Sequence, residues 1–435
     1  MLQTIFHIPH AIAGWPVFGV GWALAGWALV CVLWMLLLTR LTEKRKELAG
    51  ALPLMLLVGV MIVFVAPRIE EHDVALKPNG VPIRGYGVMM LVAIVTGVGL
   101  ASYRARRMGI DPEVMFSLAL WMCVAGVIGA RAFYVVQKWD QFYSDDTGIM
   151  LGKILSFTEG GLVVFGSAIG ALLALVLFCR LRNLPPLAIA DLVAPSMMIG
   201  LAIGRVGCLL NGCCYGGYCE LPLALQFPSE APVYVDQLTS GELYGVKFGE
   251  ATDPKTGKQQ VIVASVRPGS DAERAGVKPG EVVTHIAGYK IDQPFETRMV
   301  LEQLYVHKKQ NELKGEPTEV EFNTHKPKWT LPELSLPVHP TQIYSAIDAL
   351  LLALVLWFFY PFRRNDGEVV ALMLTLHPIS RFLLEVVRTD EPGALGTPFT
   401  ISQLVGFLFL ALAIGLWLLI ELRPRGRALP QPAAA

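Results

Sequence analysis

Apolar residues along the chain are concentrated in long runs that are separated by short polar segments. A run of about 18 or more residues with few charges is typical of a helix that spans a membrane. Nine runs follow this pattern, near residues 15–38, 51–66, 86–103, 114–136, 161–179, 188–210, 343–360, 368–387 and 401–420. The hydrophobic pattern therefore predicts an all-α polytopic membrane protein with about nine transmembrane helices.

The composition agrees with a membrane protein. Of the 435 residues, 54% are hydrophobic and only 17% are charged, whereas soluble domains carry about 25% charged residues. Lys and Arg together number 36, as do Asp and Glu, so no overall basic field favours binding of nucleic acid. The first ten residues, MLQTIFHIPH, lack the basic segment of a signal peptide, and we expect no cleavage there.

Basic residues between the runs predict the orientation in the membrane. The segments TRLTEKRKE, RARRMG, CRLRN, PFRRND and ELRPRGR follow the first, third, fifth, seventh and ninth runs. Because Lys and Arg near helix ends mark the cytoplasmic side, the N-terminus is predicted outside and the C-terminus in the cytoplasm. The segments predicted to face outside are residues 67–85, 137–160 and 211–342.

One long hydrophilic segment, residues 220–338, interrupts the apolar runs. Within it, VIVASVRPGSDAERAGVKPGEVVTHIAG predicts a strand, a turn, a short helix, a turn and a second strand, and FETRMVLEQL has helical periodicity. This order resembles a PDZ domain of the bacterial periplasmic type over about 240–330, an α+β fold. Such domains usually bind a peptide beside a strand, which would lie within residues 241–250. The alternative is a spacer or packing module that binds no peptide in its groove.

Several charged side chains lie inside or at the edge of apolar runs, where a charge costs several kcal/mol and indicates a functional site. His377, Arg381, Glu385 and Arg388 share one helix face by their spacing. The others are Arg84 with Tyr86, Arg131 and Arg205. In the predicted topology all these arginines lie toward the outer leaflet. Since guanidinium binds phosphate through paired hydrogen bonds, a phospholipid headgroup is the expected ligand; arginines that only anchor helices are the alternative.

Short motifs in a fixed order resemble the prolipoprotein diacylglyceryl transferases. They are RGYG (84–87), GARAFYVV (129–136), EGGLVVFGSAIG (159–170), IGRVGCLLNGCCYG (203–216), HPTQIY (339–344), DGEVVALML (366–374), RFLLEVVR (381–388) and ISQL (401–404). The resemblance implies a core of seven spans, runs three to nine, with an outward head before the fifth. The expected parts are two extra helices in 1–80, core helices in 81–220 and 339–422, the head in 221–338 and a cytoplasmic tail in 423–435.

The resemblance also implies an activity. Such enzymes transfer the diacylglyceryl group of phosphatidylglycerol to the lipobox cysteine thiol of a prolipoprotein in the plasma (inner) membrane, giving a thioether and glycerol phosphate. The expected partners are this lipid, lipobox peptides and a peptide for the PDZ-like region. The resemblance implies neither a cofactor nor a metal.

Carried over to this chain, the resemblance assigns phosphate contacts to Arg205 and Arg381 as catalytic residues. Gly216, like Gly212, is expected to allow a tight turn. The expected substrate-binding residues are Tyr86, Arg131, Asn211, Gly212, Tyr344, Glu385 and Arg388.

The proton acceptor is open at this point. A free cysteine has a pKa of about 8.5, so the thiol needs a base or a strongly positive site. Phe165 stands where many members carry a histidine, and Cys208 and Cys213 stand where Asn and Glu are frequent. The candidates are His339, His377 and the lipid phosphate itself, while each histidine has a purely structural alternative.

Four cysteines, Cys208, Cys213, Cys214 and Cys219, cluster in the predicted outward part. A disulfide, a zinc site and free thiols are all compatible with their spacing. Cys31, Cys123 and Cys179 lie singly in apolar runs and are expected in the core.

Two other protein classes fit less well. A transporter would show internal repeats and charges at mid-membrane, and a protease would need HExxH, a Ser–His pair or paired aspartates. Ser167 has no G-x-S-x-G context, and Asp191 and Asp348 are isolated in the sequence. A catalytically degenerate family member that binds lipid or lipoprotein is the main alternative, because of Phe165.

Overall fold

The computed structural model describes residues 3–40, 55–56, 58–72, 78–143, 150, 152–154, 161, 163–252, 257–291, 294–314, 316–321, 323, 329–388, 396–422, 424 and 426–429. The chain divides into two compact units. The first comprises Met1–Val88, Leu210–Cys213 and Tyr218–Val338, and the second Met89–Leu209, Cys214–Gly217 and His339–Ala435.

Helices make up most of the described residues. They are α1 (Trp22–Arg40), α2 (Ala66–Ile69), α3 (Gly85–Arg107), α4 (Pro112–Gln137), α5 (Trp139–Phe142), α6 (Val164–Leu181), α7 (Pro186–Asn211), α8 (Pro232–Ser240), α9 (Asp271–Arg274), α10 (Pro294–Lys314), α11 (Thr341–Phe359), α12 (Glu368–Val387) and α13 (Ile401–Glu421). A π-helix covers Met61–Val65, and 3-10 helices cover Glu242–Tyr244 and Tyr360–Phe362.

The strands are short and all pair antiparallel. They are β1 (Thr4–Ile8), β2 (Ala11–Ile12), β3 (Trp15–Pro16), β4 (Glu71–His72), β5 (Pro78–Arg84), β6 (Val246–Thr252), β7 (Gln259–Val266), β8 (His285–Ile286), β9 (Tyr289–Lys290), β10 (Glu319–Val320) and β11 (Trp329–Thr330). The sheets have the orders β1-β5-β4, β2-β3, β6-β7, β8-β9 and β10-β11. The strands before residue 84 were not expected from the sequence, and β5 crosses the boundary expected at residue 80.

Six helices are long and apolar enough to cross a membrane. They are Gly85–Arg107, Pro112–Gln137, Pro186–Asn211, Thr341–Phe362, Glu368–Val387 and Ile401–Glu421. The protein is therefore a mostly helical, multi-pass membrane protein. Three further apolar helices, Trp22–Leu36, Val58–Ile69 and Phe165–Leu181, coincide with the remaining runs but are shorter, so the expectation of nine spans stays a prediction.

Helices α4 and α6 of the second unit pack through glycine. A Cβ on Gly166 would lie 2.9 Å from the carbonyl carbon of Gly129, and a Cβ on Gly170 would lie 2.9 Å from that of Ala125. Small residues let two helix backbones approach closely in a membrane. The glycines of GARAFYVV and FGSAIG thus explain the close contact between these two helices.

A buried charge network lies where α7 meets the start of α12. Asp191 accepts hydrogen bonds from the backbone N–H groups of Gly367 (2.7 Å) and Val370 (2.9 Å). Its Oδ2 also lies 3.8 Å from Nε of Arg363, and both side chains are fully buried. Asp191 is thus isolated in the sequence but bonded in the fold, because the segment between α11 and α12 folds back onto it.

In the first unit, α8 and α10 share a hydrophobic core with β6, β7 and β8. The buried residues include Tyr234, Leu238, Val246, Val263 and Leu301. Strand β6 pairs with β7, and no other described strand pairs with β6. The strands and helices expected within residues 240–330 are thus present, and their order matches the order expected from the sequence.

Candidate active site

Helix α12 carries a buried carboxylate between two arginines. Glu385 Oε2 lies 2.6 Å from Nη1 of Arg381 and 3.5 Å from Nη1 of Arg388, and Glu385 is 3% exposed. The hydroxyl of Thr400 donates to Glu385 Oε1 at 3.1 Å. The single carboxylate therefore fixes both guanidinium groups, as their spacing on one helix face predicted.

The start of α13 supports the same cluster. Thr400 and Gln403 form a capping box, which satisfies N–H groups at the helix start. Nη2 of Arg381 donates to the hydroxyl of Ser402 at 3.3 Å. The ISQL motif thus both begins a helix and positions a second partner for Arg381.

The cysteine-containing segment is tied to the starts and ends of neighbouring helices in the second unit. The N–H of Gly216 donates to the carbonyl of His339 (2.9 Å), and the N–H of Gly217 donates to that of Val387 (3.1 Å). Thr341 Oγ1 donates to the carbonyl of Cys214 at 2.6 Å. A Cβ on Gly216 would lie 2.6 Å from Cβ of His339, which explains why glycine is needed there.

Unlike Arg381 and Arg388, Arg205 has no carboxylate partner among the described residues. It lies on α7 and is half-buried. Among the residues that the structure describes, none forms a hydrogen bond or an ion pair with Arg205. A guanidinium that is partly desolvated and lacks a counter-ion is suited to binding an anion.

The imidazole of His377 lies within the fields of three charged groups. These groups are Arg205, Arg381 and Asp348. Within the described part of the chain, Nδ1 of His377 is buried and has no hydrogen-bond partner, and the same holds for Nδ1 of His339. The ring of His339 lies 6.4 Å from that of Tyr344, centroid to centroid. The second unit thus contains both candidate bases.

Arg131 is engaged by the segment that follows α4. It donates from Nε to the carbonyl of Ile154 (2.9 Å), from Nη2 to that of Lys153 (2.9 Å) and from Nη1 to that of Gly161 (3.3 Å). Its guanidinium also lies 5.6 Å from the ring centroid of Tyr134. These contacts give Arg131 a role in holding this segment, and direct contact with lipid stays a prediction.

The remaining expected residues belong to the first unit. The carbonyl of Asn211 accepts a hydrogen bond from Gln3 Nε2 at 2.8 Å. Gly212 has φ of 74°, and a Cβ there would lie 2.8 Å from Cβ of Ala231, so glycine is required. Tyr86 is 40% exposed at the start of α3. Their roles as lipid ligands stay predictions.

None of the seven cysteines, all of which lie in the described part of the chain, forms a disulfide bond. The disulfide alternative for the cluster is therefore not realised in the structure. In the second unit, the Sγ atoms of Cys208 and Cys214 lie within 4.8 Å of each other. Cys179 is buried, as expected of a core residue, whereas Cys123 is exposed on the surface of α4, so the expectation of a core position for Cys123 is wrong.

Comparison with known proteins identifies the family. A family model described as prolipoprotein diacylglyceryl transferase matches residues 73–257 and 309–419. The chain belongs to the prolipoprotein diacylglyceryl transferase family. The gap in the match, residues 258–308, lies inside the hydrophilic insert and marks it as an addition to the common core of these transferases.

Named relatives support the family assignment. The phosphatidylglycerol--prolipoprotein diacylglyceryl transferase of Rhodopirellula baltica is 34% identical over 454 residues, which cover 95% of this chain and 88% of the relative. Transferases of the same name from Trichormus variabilis (33% identical; 34% of this chain, 51% of the relative) and Listeria innocua (36%; 32% and 48%) match over shorter stretches. The alignment with the Rhodopirellula protein thus covers more of the chain than the two blocks that the family model matches.

Two residues near the transferase arginines were missed from the sequence. Asp348 was expected to be isolated, yet its Oδ2 accepts a hydrogen bond from Ser380 Oγ at 2.9 Å. A signal was present, because Asp348 lies four residues after Tyr344 and Ser380 directly precedes Arg381. Neither residue belongs to a motif of the family, so the resemblance did not point to them.

Proposed function

We propose that this protein transfers the diacylglyceryl group of phosphatidylglycerol to the lipobox cysteine thiol of prolipoproteins. The products would be a thioether and glycerol phosphate. Family membership and the relative that aligns with 95% of the chain support this function. The structural observation that carries it is Arg205, an arginine without a counter-ion among the residues that the structure describes, in the same helical unit as the Arg381–Glu385 pair.

The charges of one cluster, formed by Arg205, Arg381, Arg388, Glu385 and Asp348, suit a monoanionic phosphodiester. Arg205, Arg381 and Arg388 supply three positive charges, while Glu385 and Asp348 supply two negative ones. With neutral imidazoles, one positive charge is left uncompensated. The phosphodiester of phosphatidylglycerol carries one negative charge and would neutralise it, so that binding leaves no net charge in the membrane.

The reaction increases the negative charge on the phosphate. The cysteine sulfur forms a bond to the glyceryl carbon while the bond from that carbon to the phosphate oxygen breaks. The electron pair leaves with this oxygen, and a monoanionic diester becomes a dianionic monoester. Arg205 and Arg381 are proposed to stabilise the developing charge, because preorganised donors act most strongly where charge appears in the transition state.

The thiol proton must be removed before or during this displacement. His377 and His339 are the proposed acceptors in the chain, and the lipid phosphate is the alternative. Phe165, at the start of α6, has no titratable group and cannot serve. The proposed ligands of the lipid are Tyr86, Arg131, Asn211, Gly212, Tyr344, Glu385 and Arg388.

The activity is tested with the purified full chain in phospholipid nanodiscs. Phosphatidylglycerol and a lipobox peptide are supplied, and mass spectrometry measures the peptide thioether while an enzymatic assay measures glycerol phosphate. Both products are expected in equal amounts. Absence of both, with retained binding of phosphatidylglycerol, would instead support the degenerate family member that Phe165 suggests.

We further propose that residues 240–330 form a PDZ-like domain on the outer side. Support comes from the β6–β7 hairpin, the short helix α9 between two turns, and α10. The second edge of β6 has no described strand partner, so a peptide could add there. The test is fluorescence anisotropy of a labelled peptide library with the full chain; absence of binding to every peptide would favour a packing module.

The proposed membrane topology has nine spans, two of them before the transferase core. The N-terminus would lie outside and the C-terminus in the cytoplasm of the plasma membrane. The basic residues at the ends of α3 and α6 support this orientation. The proposed parts are those expected from the sequence, residues 1–80, 81–220, 221–338, 339–422 and 423–435.

A further inference from the structure

Helices α11 and α12 pack against each other in the second unit, and Asp348 lies in their contact. Asp348 follows Tyr344 by one helical turn, so both side chains lie on the same face of α11. On α12, the hydroxyl of Ser380 lies 2.9 Å from Asp348 Oδ2 and 3.0 Å from the carbonyl oxygen of His377. Ser380 therefore links the carboxylate to the helical turn that carries His377.

Charged groups of both signs lie around His377. Two cations, Arg205 and Arg381, and one carboxylate, Asp348, lie close enough to interact with its imidazole. Glu385, the other carboxylate of the cluster, is already engaged by two guanidinium groups. Asp348 is thus the carboxylate placed to compensate a proton on His377.

His339 has a different setting. Its backbone N–H and carbonyl are both bonded to the segment Gly216–Gly217. Its position at the start of α11 is therefore explained by main-chain contacts that need no particular side chain. These contacts favour a structural role for His339 and leave His377 as the histidine whose imidazole lies near a carboxylate, that of Asp348.

We infer that Asp348 is a positioning residue for His377, and that His377 is the group that accepts the thiol proton. This inference rests on the proposed transferase function. The proton passes from the thiol to a ring nitrogen of His377, the sulfur electron pair forms the bond to the glyceryl carbon, and the broken carbon–oxygen pair leaves on the phosphate. Asp348 stabilises the transient imidazolium, which then returns its proton to the departing phosphate or to water.

The arrangement also explains how the chain can function with Phe165. Many family members have a histidine at the position of Phe165, so the phenylalanine removes a candidate base from α6. A histidine on α12, paired with a carboxylate from α11, supplies the same proton acceptor from a different direction. Both residues of the pair lie outside the positions that the family resemblance assigns to acid–base chemistry.

A double-mutant cycle in nanodiscs tests the inference. General acid–base catalysis contributes about 10²–10⁴-fold to rates, so His377→Gln should lower kcat by about 100-fold and Asp348→Asn by about tenfold, with little change in KM. Asp348→Glu should restore part of the loss. In the His377→Gln background, Asp348→Asn should have no further effect, because it acts through the imidazole.

Two controls separate this role from a structural one. Glu421→Gln neutralises an exposed carboxylate at the end of α13 and should leave kcat unchanged. His285→Gln removes an exposed histidine of the insert and should likewise leave kcat unchanged. Multiplicative losses in the double variant, or a wild-type kcat in either Asp348→Asn or His377→Gln, would overturn the inference.

A second measurement does not depend on turnover. Diethyl pyrocarbonate modifies the neutral imidazole, and mass spectrometry reports the rate at each histidine. Rates are measured over a range of pH, and Asp348→Asn should shift the pH dependence at His377 toward lower pH and leave that at His339 unchanged, because the carboxylate favours the charged imidazole. Equal rates at His377 in both proteins would reject the pairing of Asp348 with His377, whether or not the wild-type chain forms the thioether. Absence of the thioether in the wild-type chain would by itself reject only the proposed function.

Discussion

Glu385 shows how one residue can organise a cationic site. It is buried, binds Arg381 and Arg388 through the same oxygen, and accepts the hydroxyl of Thr400 through the other. Two guanidinium groups at membrane depth would repel each other and lose hydration without it. The role of Glu385 is therefore to hold the two positive charges in place. Its ion pairs fix the orientation of both guanidinium groups and so the directions of their N–H donors.

Replacement of this carboxylate gives the first prediction. Glu385→Gln should abolish most transfer and lower the free energy of unfolding by about 3–5 kcal/mol, because removal of one partner leaves buried charges uncompensated. The measurements are thioether formation and thermal unfolding. The matched control is Glu302→Gln, in the exposed i,i+4 pair with Arg298, where a change of at most about 0.5 kcal/mol is expected. Equal effects in the two variants would contradict this assignment.

Arg205 provides the second prediction. Arg205→Ala should lower transfer by at least about 100-fold, as loss of a transition-state donor does, while thermal unfolding changes little because no described residue is bonded to the guanidinium. Arg205→Lys should recover only part of the rate, since an ammonium lacks the planar fork. Arg106→Ala, at an exposed position near the end of α3, is the control. Near-normal activity of Arg205→Ala would reject the phosphate role.

At the scale of elements, the pairing of α4 with α6 depends on the absence of side chains. Gly129, Gly166 and Gly170 bring the two backbones into contact. Arg131, two residues after Gly129, then reaches the carbonyls of residues 153, 154 and 161. The close packing and the arginine together fix the segment that connects these helices.

Gly166→Ala tests this packing. The added Cβ would lie 2.5 Å from Cβ of Phe133, so we expect destabilisation of about 1–3 kcal/mol, measured by thermal unfolding in detergent. Gly99→Ala on α3 is the matched control, because a Cβ there meets no atom within 4 Å and alanine favours a helix. A Gly166→Ala protein as stable as the control variant would show that α4 and α6 can move apart without loss of stability.

Helix positions and local pairs could be predicted from the sequence, whereas contacts between distant segments could not. Arg381 and Glu385 are four residues apart, and their ion pair follows from helical periodicity alone. The bonds of Asp348 to Ser380 and of Asp191 to Gly367 join different helices or segments, and no periodicity reports such contacts. The strands β1 and β5 were missed for the same reason, because residues 4–8 pair with residues near 81–84.

At the scale of the whole molecule, the orientation in the membrane is the main expectation. A cysteine introduced at Lys278, an exposed residue of the insert, should react with an impermeant maleimide in intact cells. A cysteine introduced at Arg106 should react only after lysis, because basic loops face the cytoplasm. Labelling is measured by gel shift and compared with that of the parent chain, whose seven native cysteines set the background. The reverse pattern would overturn the proposed topology.

The ends of the hydrophilic insert meet at one place. Tyr218 pairs with Val338, and the N–H of Cys219 donates to the carbonyl of Pro337 at 3.0 Å. A segment whose two ends are neighbours can lengthen, shorten or be exchanged without changing the distance that the flanking chain must span. Evolution could therefore have lengthened this insert, by residues 258–308 that the family model leaves unmatched, without moving the chain that flanks it, and a protein engineer could shorten it in the same way.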